Sequence, residues 1–179
     1  MPSKIDTAEE RAPLIAISGA TDKSQLITRL VPILDEFFAR EFKVMPALDQ
    51  MLATVGVDFG SPISGEDFWA LEGTCVSFEQ RFQKEPKLIC TTPLDRFAYC
   101  NLSNLNMDAY FNRQVPAFVK DCDLLFLDIL GEDRTEFRGR LNSEMRTSEY
   151  QWGQVLVGDL DTKVTVIRES LRLHFGDKR

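Results

Sequence analysis

LIAISGATDKSQL, residues 14–26, is the stretch on which the reading of the chain turns. Leu14, Ile15, Ala16 and Ile17 form a short apolar run ending at Ser18-Gly19, as a buried strand does. From Ser24 the apolar positions Leu26, Ile27, Leu30, Ile33, Leu34, Phe37 and Phe38 recur at helical spacing, with Pro32 expected to kink or interrupt the helix. Between strand and helix lies a tight turn that begins like a phosphate-binding loop. The standard loop, G-x-x-x-x-G-K-[ST], aims successive backbone N–H groups at phosphate oxygens, with Lys on the outer phosphates and Ser/Thr on Mg²⁺. Gly19, Thr21, Lys23 and Ser24 are the remnants of such a loop. It is two residues short, has no glycine before the lysine, and carries Asp22 where phosphate needs donors. Length and charge both disfavour a nucleotide. The plain alternative is a strand-to-helix turn with Asp22 or Ser24 as N-cap and Lys23 in solvent, so that Lys23→Ala would change stability little.

Downstream, the pattern alternates. Residues 42–45 suggest a second strand and 47–55 a second helix, followed by the loop GVDFGSPISG. Residues 66–83, with Phe68, Leu71, Val76, Phe78 and Phe82 and no proline, predict a helix despite Gly73. KLIC, residues 87–90, is a third strand, and Thr91 or Thr92 is placed to cap a helix starting at Pro93. A helix is expected over 107–120, a fourth strand over 123–128, a helix near 149–160 and a fifth strand over 164–167. Buried strands alternating with helices predict an α/β fold: a three-layer, doubly wound, mostly parallel sheet of about five strands. Residues 1–12 read as a polar lead-in and 13–179 as one domain. The polar, arginine-bearing segment 132–148 is expected to be mobile without ligand.

Composition removes several classes of function. A net charge of −7 argues against a nucleic-acid or anionic-lipid surface. No segment approaches the roughly 20 apolar residues of a membrane span, and the N-terminus has no apolar core, so a cytoplasmic protein is expected. Cys75, Cys90, Cys100 and Cys122 form no C-x-x-C pair and sit among apolar residues, which suits reduced, buried thiols. His174 is the single histidine, so multi-histidine zinc sites and Ser-His-Asp or Cys-His catalysis lose their central residue. Phosphoryl transfer survives, because Lys, Arg and Mg²⁺ carry it.

Three motifs carry a family resemblance: ISGATDKSQL at the loop, MPALDQMLATVGVDF after the second strand, and CTTPLDRFAY after the third. With DLLFLD and the arginine segment they span nearly the whole domain, and the order resembles small P-loop kinases of the ribosylnicotinamide-kinase-like and deoxynucleoside-kinase-like type. The resemblance implies a glutamate at Ala47 and an Asp-Arg pair at Cys90-Thr91, and this chain has none of the three. It retains Asp95, and Asp128 stands as a Walker-B-like acid at the exit of the fourth strand. Arg134, Arg138, Arg140 and Arg146 correspond to lid arginines; they are equally readable as a solvated loop paired with Glu132, Asp133, Glu136 and Glu144. Asp95 and Asp128 are likewise readable as an ordinary helix-cap and strand-end carboxylate.

The expected function is a non-catalytic, P-loop-kinase-like domain with a decayed nucleotide site and no resident cofactor, acting by protein binding, scaffolding or self-association. The alternative is a nucleoside or nucleotide kinase or ATPase with an atypical short loop. Lys23 would then serve ATP, Ser24 and Asp128 would hold Mg²⁺, Asp95 would meet substrate, and Arg134 or Arg138 would clamp phosphate. A third possibility is a small-molecule binding protein with its cleft at the strand C-termini. Phe59, Phe68, Trp69, Phe111 and Trp152 are the candidates for an apolar partner surface, with the core as their more frequent place and the one expected.

Overall fold

Alternation along β1 (Leu14–Gly19) sets the layers: Ile15 and Ile17 face one apolar cluster and Ala16 the other, all three fully buried. A strand buried on both faces is the hallmark of a parallel sheet covered by helices on each side. The computed structural model describes residues 11–19, 23–128 and 153–176. After β1 come α1 (Ser24–Phe38), β2 (Lys43–Met45), α2 (Leu48–Thr54), α3 (Gly65–Arg81) and β3 (Lys87–Ile89). Then follow α4 (Pro93–Leu102), α5 (Asp108–Asp121), β4 (Leu124–Asp128), β5 (Gln154–Val155) and α6 (Leu160–Phe175).

The sheet order is β2-β3-β1-β4-β5, and every pairing is parallel. Ile15 aligns with Leu124 and Gly19 with Asp128. One helical layer packs Leu26, Leu30 and Leu34 of α1 with Val164, Ile167 and Leu171 of α6. The other gathers α2 to α5 around Met45, Phe68, Leu71, Phe97 and Phe111. The expected three-layer α/β sheet is therefore present.

Several local expectations need correction. Residues 164–167 are not a strand; they lie inside α6, whose N-cap Asp159 accepts from the Thr162 N–H. The buried positions Val164, Ile167 and Leu171 follow helical spacing, which outweighs the β-branched content of that run. The fifth strand is instead Gln154–Val155, within the span read as a helix near 149–160. Pro32 does not interrupt α1; it sits on the exposed side, where water can serve the Thr28 carbonyl that loses its helical donor. Ser24 is the first helical residue rather than the N-cap, a position taken by Lys23 without a side-chain cap. Trp69 leaves the expected core: it is 53% exposed, whereas Phe68 and Phe111 are fully buried. Trp152 and the segment 132–148, with Arg134, Arg138, Arg140 and Arg146, lie outside the described residues.

Candidate functional site

Doubly wound sheets place their chemistry at the C-terminal ends of the strands. There β1 ends at Gly19, β4 at Asp128, and β3 runs out through Cys90 and Thr91 to α4. Gly19 is required by closeness: a Cβ on it would lie 2.0 Å from the Asp128 carbonyl oxygen, so β1 and β4 meet there backbone to backbone. Thr92 caps α4 in a reciprocal box. Its side chain accepts from the Asp95 N–H (3.3 Å) while Asp95 Oδ2 accepts from the Thr92 N–H (2.8 Å), and Pro93 opens the helix. Of the two threonines expected as caps, Thr92 does the work. Thr91 instead donates through Oγ1 to the Pro46 carbonyl (2.6 Å), tying β3 to the exit of β2.

Asp95 is fully buried, and its carboxylate is crowded with donors. Oδ1 accepts from Ser18 Oγ and from the Gly19 N–H, both at 2.9 Å. Oδ2 lies 3.0 Å from Thr92 Oγ1 and 3.4 Å from Lys23 Nζ. Lys23 is the correction of most consequence. It is not solvated: the residue is 2% exposed, and its ammonium donates to the Cys90 carbonyl (2.7 Å) and the Ile17 carbonyl (3.1 Å) as well as facing Asp95. Three donors of one ammonium thus meet two strand-end carbonyls and one carboxylate. The lysine ties β1, the exit of β3 and α4 together.

The positions where the resemblance implies charged groups hold small uncharged ones. Ala47 is buried at the start of α2. Cys90 is fully buried, and burial pushes its thiol up to about 12, so it is a neutral packing group. Asp128 is buried and accepts from Lys163 Nζ of α6 at 2.8 Å. The structure therefore brings Gly19, Lys23, Ser24, Asp95 and Asp128 to one end of the sheet, but it pairs the lysine with Asp95 and Asp128 with Lys163. Thr21, Arg134 and Arg138 lie outside the described residues. Among the described residues no three His, Cys, Asp or Glu side chains gather as a metal site. Among them, too, no helix is long and apolar enough to cross a membrane.

Sequence reasoning missed a second buried polar cluster. Arg96, one residue beyond Asp95, donates from Nη2 to Glu72 Oε1 (3.0 Å) and from Nη1 to the Thr91 carbonyl (3.0 Å). Arg96 Nε and Glu72 Oε2 stand 2.9 Å apart but off the hydrogen-bonding line, an ion contact rather than an aligned bond. Tyr110 donates to Glu72 Oε1 (2.8 Å), and burial together with that carboxylate pushes its phenol pKa up. These residues join α3, α4 and α5. The signal was the pair Asp95-Arg96 in PLDRFAY: adjacent helical residues face different sides, so each meets its own partner.

A groove of about 650 Å³ opens at the opposite, N-terminal end of the strands, lined by Leu14, Lys87, Glu79 and Asp121 among others. No protein-family model and no curated protein matches the chain.

Proposed function

We propose that this chain is a non-catalytic domain of P-loop-kinase type whose phosphate-binding end has become a structural lock, and that it acts by binding another protein or a second copy of itself. The five-stranded, all-parallel sheet whose central strand ends on a glycine fits that ancestry. One observation carries the reading: the Lys23 ammonium is buried on two main-chain carbonyls and Asp95. To meet a triphosphate it would have to abandon all three, leaving a buried carboxylate and two strand-end carbonyls without their cation. Asp128, the acid a metal would need, is already neutralised by Lys163. The four free cysteines, three of them buried, support a reducing, cytoplasmic setting.

The kinase alternative draws on a single fact, the gathering of Gly19, Ser24, Asp95 and Asp128 at one sheet end. Thermal unfolding separates the two. A ligand that binds the folded chain stabilises it by about 2.7 kcal/mol at a hundredfold excess over its Kd. ATP, GTP and the deoxynucleoside triphosphates with Mg²⁺ are expected to leave the melting temperature unchanged; a saturable rise with any of them would overturn the proposal in favour of the kinase.

A further inference from the structure

Helix α3 buries Phe68, Leu71, Glu72 and Cys75 and turns the opposite side outward. That outward side carries Trp69, Ala70, Gly73, Val76, Ser77 and Gln80, all exposed and none charged. Trp69 is 53% and Val76 40% exposed. Trp69 is nonetheless held in place, its ring edge-on to Phe68 (4.9 Å) and Tyr110 (5.3 Å). A rigid, exposed tryptophan loses little conformational freedom on docking, which is why such residues anchor interfaces. Gly73 lies at the centre of the same face. A Cβ there would meet nothing within 4 Å among the described residues, so none of them requires glycine, although glycine inside a helix costs about 1 kcal/mol against alanine. The bare backbone at Gly73 permits close approach of another chain.

Charge selects the occupant. The face is bounded by Glu66 and Asp67 in the first turn and Arg81 in the last. A second α3 laid antiparallel about a two-fold axis through Gly73 puts Glu66 beside Arg81 of the second copy at both ends, and Trp69 against Val76 and Ser77 of the second copy. Parallel pairing would set like charges together. Two-fold self-pairing makes one patch complementary to itself, and the uncharged centre lets two chains of net charge −7 approach. We infer that the outward face of α3 is a homodimer interface, formed by antiparallel self-pairing about Gly73 with Trp69 as its anchor.

This deepens the self-association half of the proposed function and needs no nucleotide. Sedimentation across a concentration series should show a monomer–dimer equilibrium for the wild-type chain. Glu66→Arg and Arg81→Glu should each weaken it by about tenfold, and the double reversal should restore it. Trp69→Glu should leave a monomer. Gly73→Cys should cross-link to a dimer under mild oxidation far faster than Gln25→Cys, an exposed position on α1. A wild-type monomer at every concentration would overturn the inference. So would a double reversal no better than the single ones, or equal cross-linking at both cysteines. The exposed charge reversals keep the test valid even where Trp69→Glu fails to fold. A monomer that ignores ATP would sink the interface alone; a dimer that binds ATP would sink only the nucleotide reading.

Discussion

The Lys23 ammonium stands 3.4 Å from Asp95 Oδ2, inside the protein, although the two residues lie 72 positions apart in the chain. The pair ties strand ends together: Lys23 holds the Ile17 and Cys90 carbonyls, and Asp95 holds the end of β1 through Ser18 and the Gly19 N–H. A residue type that grips phosphate in a working loop is here part of the scaffold.

Lys23→Ala should therefore destabilise the chain by about 2–4 kcal/mol, because it leaves a buried carboxylate and two carbonyls short of a donor. The remaining donors on Asp95 keep the loss below that of a fully stranded charge. Urea unfolding measures it. A change under about 0.5 kcal/mol, the size typical of a surface substitution, would return Lys23 to solvent.

Gly19→Ala tests the contact between β1 and β4. The added methyl group would lie 2.0 Å from the Asp128 carbonyl oxygen, a backbone atom that cannot rotate away. Overpacking of this kind costs about 1–3 kcal/mol, and here it also disturbs the sheet end. A variant as stable as wild type in the same urea titration would show that the strands are further apart.

The stability of the chain should carry a pH dependence from Glu79. Burial raises this carboxyl above its ordinary value of 4.5, with Arg96 partly opposing and Glu72 adding to the rise. Just above 4.5 the unfolded chain has released a proton that the folded chain still holds, so stability falls as pH rises through that window and stays lower beyond it. Glu79→Gln should accordingly be more stable than wild type at pH 7, and the difference should fade as pH drops below 4.5. An equal difference at both ends of the range would remove Glu79 as its source.

Much of the fold was legible because its signals are local. The apolar run 14–17 before Ser18-Gly19, the helical spacing from Leu26 to Phe38 and the Thr92-Pro93-Asp95 cap each lie within a few residues, and each appears as read. β5 was not legible: two exposed residues, Gln154 and Val155, offer no pattern, and the β-branched run 164–167, further along and inside α6, reads more like a strand than they do. The site was half legible. Its residues could be placed at the exits of successive strands of a parallel sheet, and so at one sheet end, but the direction of Lys23 could not be read. That direction depends on acceptors from three separate segments, Ile17, Cys90 and Asp95, which only the fold brings together.

Isothermal titration of the wild-type chain with ATP and Mg²⁺ tests the central claim, that Lys23 is committed to the scaffold, most directly. The account predicts no saturable heat across the range of about 1 μM to 1 mM in which enzyme sites commonly saturate. Micromolar binding that disappears in a folded Lys23→Ala variant would contradict it, and would return Lys23, Ser24 and Asp128 to the service of a nucleotide.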